Sequence, residues 1–211
     1  MKKKKQTVKK QTEKGEVTLL HSIGYILAVC GMIGLFAASV LMVEKIQLLQ
    51  NPSYQPSCNL NPIISCGSVM KTDQASAFGV SNSIVGIIGF SVIMTIGFAI
   101  IAGAKFKKWF WQGLQIGSIF GVGFSMWLFY EGIYNIKAVC PYCAAIWVVS
   151  IAIFWYTLLY NLRVGNIKAP KQLKGLVSFI QHHHGNILIV WYLTLCLIIL
   201  THFWYYWSTL L

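Results

Sequence analysis

The chain has 211 residues, 56% of them hydrophobic and only 10% charged, with a formal net charge of +12. That composition excludes an ordinary soluble enzyme and points to an integral membrane protein. The positive charge lies in the tail and the connecting segments, where it orients a membrane chain, so no nucleic-acid partner is expected.

Residues 1–18 carry seven lysines, from Lys2 to Lys14, and almost nothing apolar. They are expected to form a disordered basic tail. An apolar segment longer than a signal-peptide core follows, without a small-residue cleavage site, so the first span is expected to remain as an anchor. That span, about 19–43, contains Gly24, Gly31 and Gly34, which would let a second helix approach closely. Cys30, near its middle, reads as a small packing residue.

From Glu44 to Ser81 the chain reads as polar and irregular, punctuated by Pro52, Pro56 and Pro62. A connection of that length is expected to have a function. It holds Cys58 and Cys66, a separation that a bent loop closes readily into a disulfide. Such a bond serves either as a permanent staple or as an exchanging pair.

Four more spans follow, at about 82–104, 109–130, 140–162 and 187–207, none with Asp, Glu, Lys or Arg in its interior. The expected fold is therefore all-α: a four-helix transmembrane bundle, a connection over 163–186, and a fifth transmembrane helix within 187–211. Gly113, Gly117 and Gly121 form a ridge at four-residue spacing, read as close helix packing rather than a ligand groove. The clusters Trp109 to Trp111 and Trp204 to Trp207 fall at span ends, as interfacial belts do. His182, His183 and His184 are consecutive, so on a helix their side chains diverge; they read as a polar cap to the fifth span, not a metal site. Cys196, alone in an apolar span, reads like Cys30.

With the N-terminus inside, the cytoplasmic segments hold the tail lysines, Lys105, Lys107 and Lys108, and Arg163, Lys168, Lys171 and Lys174. Only Lys45, Lys71 and Lys137 then lie outside. The positive-inside rule thus predicts that Cys58, Cys66, Cys140, Cys143 and the C-terminus are extracytoplasmic.

The most informative stretch is Cys140, Pro141, Tyr142 and Cys143, where a polar turn gives way to a long apolar run. Pro141 suits a first helical turn, and the free N–H groups of a helix start favour a thiolate. Residues three apart share a helix face, so the two sulfurs can close and open a disulfide. Half of a zinc site is the alternative for the motif taken alone. A loop pair and a helix-mouth pair on the oxidising side together suggest a relay. The loop disulfide takes electrons from a soluble dithiol and passes them by thiol exchange to the helix pair. The terminal acceptor must then reach the helix pair from the lipid, as an apolar, two-electron quinone does. Spans without ionisable residues argue against an ion-coupled transporter.

Residues 19–162 resemble the vitamin K epoxide reductase family. The resemblance rests on Cys58 and Cys66, on Ser68 and Val69 just after them, on Ser81, Asn82, Ser83 and Gly86, and on Cys140 to Cys143. It implies a four-helix bundle around a quinone (ubiquinone or menaquinone), with Cys143 beside the ring and Asn82 hydrogen-bonding a quinone oxygen. It also implies that Cys58 exchanges with a partner protein and that Cys66 relays to Cys140. Trp147 stands where the animal enzymes have a tyrosine; its indole donates a hydrogen bond but cannot accept one. Many bacterial relatives carry a thioredoxin-like domain after the fifth span, which this sequence does not show, so a separate thioredoxin-fold dithiol partner is expected. The reading that follows is a bacterial-type thiol:quinone oxidoreductase of the cell membrane that supports disulfide formation. Its rivals are a vitamin K epoxide reductase and a non-catalytic scaffold with stapled or metal-bound cysteines.

Overall fold

The computed structural model describes residues 19–208 except Pro52, Ala169, Lys171 and Leu173. The expected disordered tail, residues 1–18, lies outside the described residues. Among the described residues, five helices are long and apolar enough to cross a membrane: α1, Leu19–Gln50; α3, Asn82–Ile101; α4, Lys108–Tyr130, prolonged by a π-helical turn over Glu131–Ile136; α5, Pro141–Val164; and α7, His184–His202. Short helices complete the chain: α2, Cys66–Met70; α6, Lys174–His182; and α8, Trp204–Trp207. This is an all-α membrane protein.

The expected spans are all present, with the bounds of the first and fifth to correct; the fifth helix covers His184–His202 rather than 187–207. The first helix does not stop at Val43 but continues to Gln50, so Glu44 and Lys45 are helical rather than the start of an irregular loop. Both charges find partners in the following segment: the Lys45 ammonium donates to the Met70 carbonyl, and one Glu44 oxygen accepts from Ser57. Leu41, Glu44 and Leu48 follow helical spacing and are all buried, so the inward face runs straight through the charged pair.

In the bundle α3 packs on α1, α1 on α5, and α5 on α4. The α1–α3 seam is the tightest, because small residues let the backbones meet. A methyl group on Gly31 would lie 2.6 Å from the Met94 backbone nitrogen, and one on Gly97 would strike the backbone of Ala28. Helices α3 and α4 scarcely touch. At the end away from the cysteines, α4 and α5 are tied by buried Asn161, which donates to the Trp111 carbonyl (3.2 Å) and accepts from Asn166 (3.0 Å). Trp111 itself is buried against Tyr160, so only Trp109 of that aromatic cluster is outward-facing.

α7 stands beside α5, pinned by Tyr192 to the Val148 carbonyl (2.9 Å) and by Trp155 to the His184 carbonyl (3.0 Å). Most of its surface is exposed and apolar, as for a helix facing lipid; Cys196 is part of that exposed surface and is not a packing residue. The histidine run is not one continuous helix, since α6 ends at His182 and α7 begins at His184. Phe203, just past α7 and just before the second aromatic cluster, is fully buried with Ile63, Val139 and Trp147.

Candidate active site

The cysteine segment is short of regular structure but rich in side-chain bonds. Asn61 Oδ1 accepts from the Ile63 and Ile64 amides (3.0 and 2.6 Å) and bends the chain around Pro62. Asn59 Oδ1 accepts from the Gly67 amide (2.9 Å), and Ser65 caps α2 by accepting from the Ser68 amide (3.1 Å). From the other side, Lys137 adopts the left-handed conformation (φ 56°) and ends the π turn. Residues 138–139 then run alongside the loop in an isolated parallel bridge between Ile64 and Val139. Its hydrogen bonds are Val139 N–H to Ile63 O (2.7 Å) and Ser65 N–H to Val139 O (3.1 Å). Cys66 and Cys140 each follow immediately after this bridge, so its register sets them side by side.

Three sulfurs meet there. Cys58 and Cys66 are joined as a disulfide, with Cα atoms 5.7 Å apart. The Cys140 sulfur lies 3.0 Å from that of Cys66, within the range of a near-attack contact. Cys66 and Cys140 are 0% and 1% exposed, and Cys58 is 6% exposed. The sulfurs of Cys58, Cys66 and Cys140 all lie within 4.8 Å of one another, a spacing that would suit metal ligands. In this state two of the three are joined to each other, so a single thiol, that of Cys140, faces the disulfide.

Cys140 is the residue before α5 and Pro141 opens the helix, as the motif predicts. A hydrogen bond from Cys143 draws the Cys140 thiol below its ordinary pKa, against burial and the nearby Glu44 carboxylate, which both push it up. A thiol in that condition yields the attacking thiolate more readily. Cys143, one turn into α5, is half-buried, packs against the same sulfur cluster and also lines the cavity inside the bundle.

Behind Cys143 the gap between α3 and α4 is a cavity of about 720 Å³ with a mainly apolar lining. That size and character suit a small apolar ligand. Asn82 and Trp147 both line it, as do Ser81, Ser83 and Gly86. Trp147 is held edge-on to Phe129 (5.0 Å between ring centres). Asn82 is already engaged: its Nδ2 donates to the Gln74 carbonyl (2.7 Å) and its Oδ1 accepts from the Ala77 amide (3.1 Å). One Nδ2 hydrogen remains for a ligand oxygen. Gly113, Gly117 and Gly121 also line the cavity, and methyl groups on them would meet nothing within 4 Å. The close-packing ridge expected on α4 is therefore an open wall of the cavity, because α3 leans on α1 instead.

A family model for the vitamin K epoxide reductase family matches residues 25–158. The chain belongs to that family. The match covers α1 from Tyr25 onward, α3, α4 and all but the end of α5, and takes in every residue of the cysteine cluster. No curated protein matches the chain. As a vitamin K epoxide reductase family member it is a membrane oxidoreductase of a group that in general works on thiols, disulfides and quinones.

The sequence reading named the four cysteines, Asn82 and Trp147, and the structure brings all six to one end of the bundle. It missed Glu44. This residue is 6% exposed, and its Oε1 accepts from both the amide (3.2 Å) and the hydroxyl (2.6 Å) of Ser57, next to Cys58. The signal for it was the Leu41, Glu44, Leu48 spacing.

Proposed function

We propose that the protein oxidises a thioredoxin-fold dithiol outside the cytoplasm and passes the electrons through its two cysteine pairs to a membrane quinone, thereby supporting disulfide formation. The observation that carries this reading is the 3.0 Å approach of Cys140 to the Cys58–Cys66 disulfide, with Cys143 at the wall of an apolar cavity. A partner thiolate attacks Cys58 and releases Cys66 as a thiolate. The second partner thiol resolves the mixed disulfide, which leaves the partner oxidised and the loop pair reduced. Cys66 then attacks Cys140 of the Cys140–Cys143 disulfide and releases Cys143; Cys58 resolves the resulting link and restores the loop disulfide. Two electrons and two protons now reside on Cys140 and Cys143. When bound, the quinone supplies the two-electron acceptor that returns this pair to a disulfide, and it leaves as quinol. Apolar walls admit the quinone from lipid and keep water from the exchanging sulfurs, while Asn82 and the Trp147 indole are placed to offer hydrogen-bond donors.

The lysine distribution supports an extracytoplasmic cysteine end in a bacterial inner membrane. A reporter after Leu211 should then be extracytoplasmic and one near Lys107 cytoplasmic. The direct test is turnover: the purified chain, given dithiothreitol and a short-chain ubiquinone or menaquinone, should reduce the quinone with loss of one dithiol per quinol. Activity on vitamin K epoxide but not on the quinone, or copurifying zinc with no turnover, would overturn it.

A further inference from the structure

Cys58 must meet a bulky protein partner in the outer exchange and yet hold Cys66 against Cys140 in the inner one. In the structure it is shut away, 6% exposed, among Leu41, Leu48, Cys66, Met70 and Cys140. The neighbouring residue, Ser57, shows what holds it there. Both Ser57 hydrogen-bonding groups end on a single oxygen of Glu44, a carboxylate brought into the bundle by α1. The second oxygen, Oε2, is buried and has no hydrogen-bond partner among the described residues. Tyr54, three residues before Ser57, packs against the same buried cluster as Cys58, so the loop is seated on both sides of Pro56. A carboxylate within an apolar span is costly and usually marks function. An isosteric apolar residue would fill this site at less cost but would not hold Ser57.

We propose that Glu44 is a positioning residue acting as a latch on the cysteine loop. Closed on Ser57, it keeps Cys58 shielded and Cys66 seated on Cys140 for the inner exchange. Released, it lets Cys58 swing out to the partner. The alternation rests on the relay reading above, whereas the latch itself is a property of the loop. Hydrogen bonds to a charged group are stronger than neutral ones, so the closed position is the resting one. Losing the latch must therefore move the two exchanges in opposite directions.

Two measurements read this. The first is the rate at which dithiothreitol reduces the Cys58–Cys66 disulfide, with no quinone or partner present. The second is the yield of the Cys66–Cys140 link in a Cys143→Ser background, mapped on non-reduced peptides. Glu44→Ala should speed the first about tenfold and lower the second several-fold. Glu44→Gln keeps an acceptor for Ser57 but loses the charge, and should fall between the parent and Glu44→Ala in both. Ser57→Ala removes only the hydroxyl bond from an exposed residue, and should move both in the same directions by a smaller factor; it serves where the buried change impairs folding. A general loosening of structure would speed dithiol attack without rescue by Gln. If Glu44→Ala leaves both measures unchanged, moves them the same way, or is matched by Glu44→Gln, the latch is overturned. A Cys143→Ser chain with native Glu44 that forms no Cys66–Cys140 link would contradict the relay instead, and the reduction rate would then decide the latch alone.

Discussion

Helices α1 and α4 both carry a stripe of glycines, and the structure uses the two stripes in opposite ways. On α1, Gly24, Gly31 and Gly34 face Ile100, Met94 and Phe90 of α3 so closely that no side chain fits. On α4, Gly113, Gly117 and Gly121 face open space and form a wall of the cavity behind Cys143. A stripe of small residues states only that something may come close; which of a helix or a ligand does so is decided by the partner that pairs elsewhere. Here α3 spends its small face on α1, and the gap left against α4 becomes the cavity.

The comparison can be broken most violently on the closed side. Gly31→Leu would drive a side chain into the Met94 backbone, which cannot yield, so the expected cost lies at or beyond the ~3 kcal/mol upper end of overpacking. Loss of the folded species in detergent thermal unfolding is the measure. Gly117→Leu should do the reverse: the thermal midpoint holds, while the apparent KM for quinone rises about tenfold because the new side chain fills space a ligand needs. Equal destabilisation by both substitutions would erase the distinction between the stripes.

A smaller effect is expected at Asn82, which sits where cavity and loop meet. Asn82→Ala removes bonds to Gln74 and Ala77 as well as a donor facing the cavity. At about 0.5–1.5 kcal/mol for each hydrogen bond, quinone KM should rise by a few-fold to tenfold, and reduction of the loop disulfide by dithiothreitol should quicken slightly. An unchanged KM would remove Asn82 from ligand binding and leave it as a loop tie. The smallest effect belongs to Cys30 and Cys196, which lie apart from the sulfur cluster; their joint replacement by Ala should leave turnover within a few-fold, and a larger loss would show that one of them exchanges.

The spans were legible because each is an uncharged run of bilayer length, and the helix-mouth pair was legible because Pro141 marks a helix start. Three features were not. The end of α1 was misplaced because Glu44 and Lys45 look like a boundary, whereas Ser57 and the Met70 carbonyl, 13 and 25 residues away, hydrogen-bond to them inside the fold. The contact of Cys66 with Cys140, 74 residues apart, depends on the bridge between Ile64 and Val139, a pairing that no local pattern announces. The inward turn of Phe203 was hidden beside an aromatic cluster read as interfacial, Trp204 to Trp207, although its packing with Ile63 and Val139 presses the fifth helix onto that same bridge.

The central claim is that the loop disulfide exchanges with the helix pair, and the Cys143→Ser variant tests it most directly. With Cys143 gone, Cys140 keeps its place beside Cys66 but loses the neighbour that would release it. Peptide mapping of the non-reduced protein should then find Cys66 linked to Cys140, with Cys58 free to alkylation. If instead Cys58 and Cys66 stay joined and Cys140 remains a free thiol under every redox buffer tried, the loop disulfide is a staple and the relay does not exist.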